Sequence, residues 1–269
     1  FYGGDPRTLF SSNSMGKSFV SALMGIAVSE GAVESIEDPI GKYIPEFAGT
    51  DLESIPIRAC LQMAFGINFN EDTDMSRFSL RTLMGTPSMK VIADHGVREE
   101  PYTHRRYQSI NTEILGQIIK NATGRSLAEY MEEKLWKRIG AEQDAYWTLS
   151  NGTELAMGGL SVSFRDYARF ARLYLNQGSF RGEQILTKEW VKASMDVSAA
   201  YSRPGANQDV YNAIGYGYQW WVPEGDRGEF MAIGVYGQWM YVDPSRQIII
   251  VKTSADPDFM SQDYELKHV

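Results

Sequence analysis

Apolar side chains recur with a helical period in four stretches of the chain and change to a strand-like texture toward its end. Between positions 14 and 31, Val20, Leu23, Met24, Ala27 and Val28 stand at i, i+3, i+4, i+7 and i+8, one face of a helix that Gly31 would close. Ile114, Leu115, Ile118, Ile119 and Ala122 repeat the period up to Gly124. Two further helices announce their own starts. Ser126 with Glu129 has the form of a capping box ahead of Leu127, Tyr130, Met131 and Leu135. Ser163 with Asp166 does the same ahead of Phe164, Tyr167, Ala168, Ala171, Tyr174 and Leu175, and Gly178 ends that run. Between Glu34 and Glu100 the pattern is irregular. Asp38-Pro39, Ile44-Pro45 and Ile55-Pro56 mark corners, Arg58 to Met63 reads as a short helix, and Met75 to Arg98 fits no single period.

After about Tyr211, aromatic and β-branched runs predict strands at Tyr216 to Val222, Glu229 to Gly234, Gln238 to Val242 and Ile248 to Thr253. Asp243-Pro244-Ser245-Arg246 makes a turn that would join the last two as a hairpin. Helices followed by an antiparallel sheet, without β-α-β alternation, predict an α+β fold. Residues 14–184 read as a mainly helical part and 185–269 as a sheet-bearing part of one domain spanning 1–269.

Composition narrows the chemistry. The 269 residues, 43% hydrophobic and 22% charged, suit a globular chain with a sizeable core. A net charge of −8 argues against a surface that tracks phosphates, so nucleic acid is not an expected partner. One cysteine, Cys60, excludes an internal disulfide and a Cys-rich zinc site. The histidines are only His95, His104 and His268, and neither HExxH nor GxSxG occurs. A hydrolase built from this chain would therefore use a base other than histidine, and no metal site is expected. The longest apolar stretch, Phe19 to Val28, is broken by Ser21 and Gly25 and is too short to span a membrane.

Ser14-Met15-Gly16-Lys17 opens the first amphipathic helix. Gly16-Lys17-Ser18 also looks like the end of a phosphate-binding loop, but Ser11 stands where that loop needs glycine. As S-x-x-K the segment has a mechanical meaning. Residues i and i+3 share a helical face, so the Lys17 amine can reach the Ser14 hydroxyl and take its proton if burial keeps the amine partly neutral. A helix N-terminus adds free N–H groups that favour developing negative charge. Taken alone, the segment reads more readily as a serine-rich cap with a solvated lysine.

Four segments together resemble the serine β-lactamase-related hydrolases, the group that includes class C β-lactamases, D-alanyl-D-alanine carboxypeptidases, family VIII carboxylesterases and 6-aminohexanoate-dimer hydrolase. Ser11 to Ser18 is similar to the nucleophile segment, and Gly31 to Glu46 to the stretch that follows it. Tyr107-Gln108-Ser109, with Leu115-Gly116 beyond it, resembles the Tyr-x-Asn or Tyr-x-Ser element, and Phe230 to Pro244 the strand carrying the third element. The resemblance implies a β-lactamase/transpeptidase-like fold and a metal-free, cofactor-free serine hydrolase acting on a small ester or amide through an acyl-enzyme. It assigns catalysis to Ser14, Lys17 and Tyr107, leaving open which of Lys17 and Tyr107 is the base. It assigns the oxyanion to the amides of Ser14 and Val235. Ser109, bonded to Lys17 or to substrate, and Gly234, Tyr236, Gly237 and Gln238 would bind substrate.

The chain also departs from that pattern. Where β-lactamases and DD-peptidases carry Lys-Thr-Gly or His-Thr-Gly, it has Ala232-Ile233-Gly234, without a cation for a substrate carboxylate. That favours the esterase and amide-hydrolase branches over penicillin recognition, with an inactive binding protein on the same fold as the rival reading. Ala64-Phe65-Gly66 replaces the usual small residues ending in Ser-Gly. Glu71, Asp72 and Asp74 read as a solvated loop, and Tyr216, Tyr218, Trp220 and Trp221 as half core and half cleft. Because the fold ordinarily places a helix and strands before the nucleophile, only 13 residues ahead of Ser14 and no clear helix after Asp256 suggest a longer parent chain.

Overall fold

The computed structural model describes residues 5–206 and 213–259. The first periodic segment splits in two. Asn13–Gly16 form one 3-10 turn, and helix α1 runs Lys17–Ser29, almost wholly buried. The other helices are α2 (Ile57–Leu61), α3 (Glu71–Leu83), α4 (Ser88–Ala93), α5 (Ile110–Thr123), α6 (Leu127–Met131), α7 (Phe164–Leu175) and α8 (Lys188–Ser194). The cap signals hold: Ser126 and Glu129 form a full capping box, and Ser163 Oγ accepts the Asp166 amide at the start of α7. Gly124 takes the left-handed conformation that ends α5.

Strands β1 (Leu9–Ser11), β2 (Tyr146–Trp147) and β3 (Leu160–Ser163) make a small antiparallel sheet in the order β1-β3-β2. The larger sheet has five antiparallel strands, β4 (Ile214–Tyr216), β5 (Trp221–Pro223), β6 (Phe230–Gly234), β7 (Gln238–Asp243) and β8 (Ile248–Lys252), ordered β8-β7-β6-β5-β4. The predicted turn at Asp243-Pro244-Ser245-Arg246 does join β7 to β8, with Asp243 opposite Ile248. Helix α7 lies across β7 and β8, while α1 packs on α5. A continuous aromatic stack ties these layers together. Phe19 of α1 stacks on Phe170 of α7, Phe170 lies parallel to Trp220 at 6.0 Å, and Trp220 meets Phe230 of β6 edge-on at 5.1 Å. Each such ring removes a large apolar area from water, so this column is a principal source of cohesion between helices and sheet.

Two expectations are corrected. Glu71 to Ala93 holds two helices, α3 and α4, separated by a turn at 84–87: Asn70 accepts the amides of Asp72 and Thr73 to cap α3. The periodic signal was lost because α3 buries Phe78 yet leaves Leu80, Leu83 and Met84 exposed. Tyr216 to Val222 is not one strand. β4 and β5 are antiparallel neighbours with Tyr216 opposite Trp221, and the chain reverses between them. Gly217 permits the reversal, because a side chain there would meet the Ser194 carbonyl at 2.0 Å. Gln219, at φ 61°, fixes its far side.

Gln219 is also a buried junction. Its Nε2 donates to the carbonyls of Cys60 and Leu61, and its Oε1 accepts from Thr112 Oγ1 of α5 at 2.7 Å. Its carbonyl accepts from Ser18 Oγ of α1, also at 2.7 Å. Among the described residues no helix is long and apolar enough to cross a membrane. The expectation of no clear helix after Asp256 falls largely outside them.

Candidate active site

The 3-10 turn Asn13–Gly16, which carries Ser14, packs against β6, β7 and the start of α1. Lys17 sits at the first position of α1, one turn on, and its Nζ donates to Ser14 Oγ at 2.8 Å. This lysine is not solvated: it is 1% exposed. Its ammonium also donates to the Met157 carbonyl. Burial pulls it down from its ordinary range to about 8, although the carboxylates of Glu71 and Glu113 act to raise it. The neutral amine is thereby more accessible near neutral pH than in a solvated lysine.

Tyr107 also adjoins the amine, its ring centroid 5.4 Å from Lys17 Nζ. The ring stacks on Trp221 at 5.3 Å and meets Tyr216 edge-on at 6.0 Å. Tyr216, Tyr218, Trp220 and Trp221 are all buried, so none of them lines an open cleft; Tyr216 and Trp221 form the wall that sets the Tyr107 ring.

Ser109 stands at the N-cap position of α5 without a side-chain cap bond, and its hydroxyl turns to Glu71, not Lys17. Both its hydroxyl and its amide donate to Glu71, the amide at 2.8 Å. Glu71 is therefore no solvated loop residue. It stands in the first turn of α3 and closes onto the site, while Asp74 accepts the Asn70 amide. The sequence held a clue in Asn70, a natural helix cap that would have placed Glu71 on a helix rather than a loop.

The end of β6 runs along the nucleophile turn. Asn13 Nδ2 donates to the Val235 carbonyl at 2.9 Å, and a side chain on Gly234 would lie 2.4 Å from the Ser12 carbonyl. Glycine is needed there for close approach. Tyr236 and Gly237 follow at φ 67° and 83°, forming the turn into β7. Tyr236 is 48% exposed beside the site. Gln238 is buried and spends its amide on the turn itself, donating to the carbonyls of Val235, Tyr236 and Ser254.

Two contributors had no sequence signal. The Met157 acceptor is a backbone carbonyl, and Glu113 lies six residues after Tyr107, in the first turn of a helix whose face could not be oriented from sequence. The Glu113 carboxylate is buried, accepts the Met157 amide at 3.4 Å, and is pushed up to about 7 by burial. The opposing pulls come from the Met157 and Ala156 amides and from the charges of Lys17 and Lys120.

A family model described as "Beta-lactamase" matches residues 3–267. The chain belongs to the β-lactamase family. Within this family, it is 29% identical over 262 residues to the 6-aminohexanoate-dimer hydrolase of Paenarthrobacter ureafaciens, covering 91% of this chain and 66% of that one. Among solved structures, a putative 6-aminohexanoate-dimer hydrolase from Bacillus anthracis superposes with a TM-score of 0.84 at 26% identity, over 99% of this chain and 73% of that one. EstCE1, a hydrolase with promiscuous acyltransferase activity, shares the fold with a TM-score of 0.77 at 16% identity, over 98% and 84% of the two chains. The architecture is thus the β-lactamase/transpeptidase-like fold expected from the sequence. This member of the family spans just under two thirds of the length of the curated hydrolase it matches.

Proposed function

We propose that this chain is the catalytic part of a serine hydrolase that cleaves an ester or amide through an acyl-enzyme, most like the carboxylesterase and 6-aminohexanoate-dimer hydrolase branches. One observation carries the reading: a fully buried lysine amine donates to the hydroxyl of the serine three residues before it, with its proton affinity lowered to about 8. Lys17 takes the Ser14 proton as Oγ bonds to the substrate carbonyl carbon. The tetrahedral oxyanion is assigned to the amides of Ser14 and Val235, a reading supported by the bond from Asn13, the residue before the serine, to the Val235 carbonyl. Lysinium or Tyr107 returns a proton to the departing alcohol or amine, the carbon–leaving-group bond breaks, and water repeats the sequence to release the acid.

The third-element strand supports the esterase and amidase branches over penicillin recognition. Ala232 and Ile233 are buried in β6, and neither offers a cation to a substrate carboxylate. The test is covalent labelling of Ser14 by a fluorophosphonate, followed by a panel of short p-nitrophenyl esters, aminohexanoate oligomers and nitrocefin. Labelling at Ser14 with ester or oligomer turnover is expected. An unlabelled serine would sink the mechanism and favour an inactive binding protein, while nitrocefin as the best substrate would move the chain to the β-lactamase branch.

A further inference from the structure

The Lys17 ammonium has two sides. One faces Ser14 and Tyr107; the other is gripped by the Met157 carbonyl. That carbonyl belongs to a short backbone passage, 156–159, wedged between α5 and the nucleophile turn. A side chain on Gly116 of α5 would strike Ala156 Cβ at 2.5 Å, and one on Gly158 would touch the Asn13 backbone at 3.3 Å. Polar contact between α5 and this passage comes from Glu113, 6% exposed, whose carboxylate accepts the Met157 amide. One peptide unit on, the Met157 carbonyl takes the lysine.

Glu113 also borders a cavity of about 210 Å³ whose walls include Phe78, Thr82, Gln117, Ser150 and Leu155. Ser14, Lys17 and Tyr107 are not among its lining residues. The carboxylate thus sits between the lysine and a space separate from the nucleophile. The groups facing Lys17 are Ser14 on the nucleophile turn, Tyr107, Glu71 of α3 and Glu113 of α5; those facing Glu113 are Lys17, Lys120 and the amides of Ala156 and Met157.

We propose that Glu113 is a positioning residue for Lys17: it anchors the amide of Met157, the residue whose carbonyl in the next peptide unit holds the ammonium, and its negative charge steadies the lysinium formed when Ser14 gives up its proton. In that step the Ser14 O–H bond breaks, its proton passes to the Nζ lone pair, and Oγ bonds to the acyl carbon. Above about pH 7, where its carboxyl is ionised, Glu113 takes no proton in this step and faces the charge that appears on Nζ. Glu71 faces the same ammonium but also accepts from Ser109, so its removal disturbs the start of α5 as well. Glu113 is the cleaner handle.

The inference rests on Ser14 and Lys17 being nucleophile and base, and the experiment separates the two. The full chain and its Glu113→Gln and Glu113→Ala variants are assayed with p-nitrophenyl acetate from pH 6 to 10, alongside fluorophosphonate labelling of Ser14. Glutamine keeps an oxygen to accept the Met157 amide but removes the charge. The acid limb of its kcat/KM profile is expected to move down by about 1 unit, since a nearby carboxylate raises an amine's proton affinity by that order. Alanine also frees the peptide, and kcat is expected to fall about 100-fold with little change in KM, the cost of misplacing a catalytic group by about 1 Å. If the alanine variant fails to fold, the glutamine profile decides alone. A Glu113→Gln limb that superimposes on the wild type, with Ser14 still labelled, overturns this inference and leaves the hydrolase reading standing. Absence of labelling in the wild type overturns both.

Discussion

The two sides of Ser14 are built in opposite ways. Behind it, Lys17, Glu113 and the Met157 carbonyl are charged or polar, buried and joined by hydrogen bonds, so small changes in charge are felt strongly where water cannot screen them. In front, the end of β6 and its turn are shaped by close backbone approach, with Gly234 against Ser12 and Tyr236 half open to solvent. On the proposed mechanism the rear would control which protons move and the front what fits. Changes behind the serine should therefore appear in kcat and its pH dependence, and changes in front in stability and KM.

The largest break falls at the hinge between the sides. Ser14→Ala is expected to remove p-nitrophenyl ester hydrolysis by about four orders of magnitude or more, with an unchanged far-UV circular dichroism spectrum. Activity within tenfold of the wild type would end the comparison. Next comes the rear alone: Lys17→Met should lower kcat by about 1,000-fold, in the range lost with a general base.

The wild-type kcat/KM should rise through an acid limb near pH 8, where Lys17 loses its proton. Stability carries the same signature. Folding lowers the Lys17 proton affinity from 10.5 to about 8, so between these values the unfolded chain holds more protons. The stability of the wild type relative to Lys17→Met should therefore increase as pH rises from about 8 to 10.5, measured by urea melts at fixed pH. A flat difference would mean that the lysine is less buried than described.

Smaller effects sharpen the front. Gly234→Ala would push a methyl group to 2.4 Å from the Ser12 carbonyl, backbone against backbone. A loss of about 1–3 kcal/mol in denaturant unfolding is expected, the usual cost of overpacking, together with weaker activity as the Val235 amide moves. Tyr236→Ala should do least: a change of about threefold in KM for a bulky ester, with kcat and its pH profile unmoved, as for a residue that contributes ground-state binding only. A shifted pH profile in that variant would show that the two sides are not separate.

What the sequence disclosed follows the same division. Ser14 and Lys17 were visible because i and i+3 on a helix fix a distance that does not depend on the rest of the fold. Tyr107 became visible only through its resemblance to a family element, since nothing local distinguishes it from a packing tyrosine. Glu113 and the Met157 carbonyl stayed hidden. The first depends on how α5 is turned about its axis, and the second is a main-chain atom that any residue type would supply. Helix α3 escaped because Leu80, Leu83 and Met84 face outward, so the periodic contrast between a buried and a polar face is weak. The sheet was legible down to the turn at Pro244, yet the Tyr216 to Val222 run hid a reversal that Gly217 and Gln219 impose.

Gln219 has a consequence for how the molecule comes apart. Its amide and carbonyl join α1, the end of α2, α5 and the β4–β5 turn through one buried side chain and peptide. Helices and larger sheet should then share a single melting event rather than two. Amide protons of α5 and β6 should exchange with deuterium at the same slow limiting rate, and replacing Gln219 with alanine should let the two sets exchange at different rates before global unfolding.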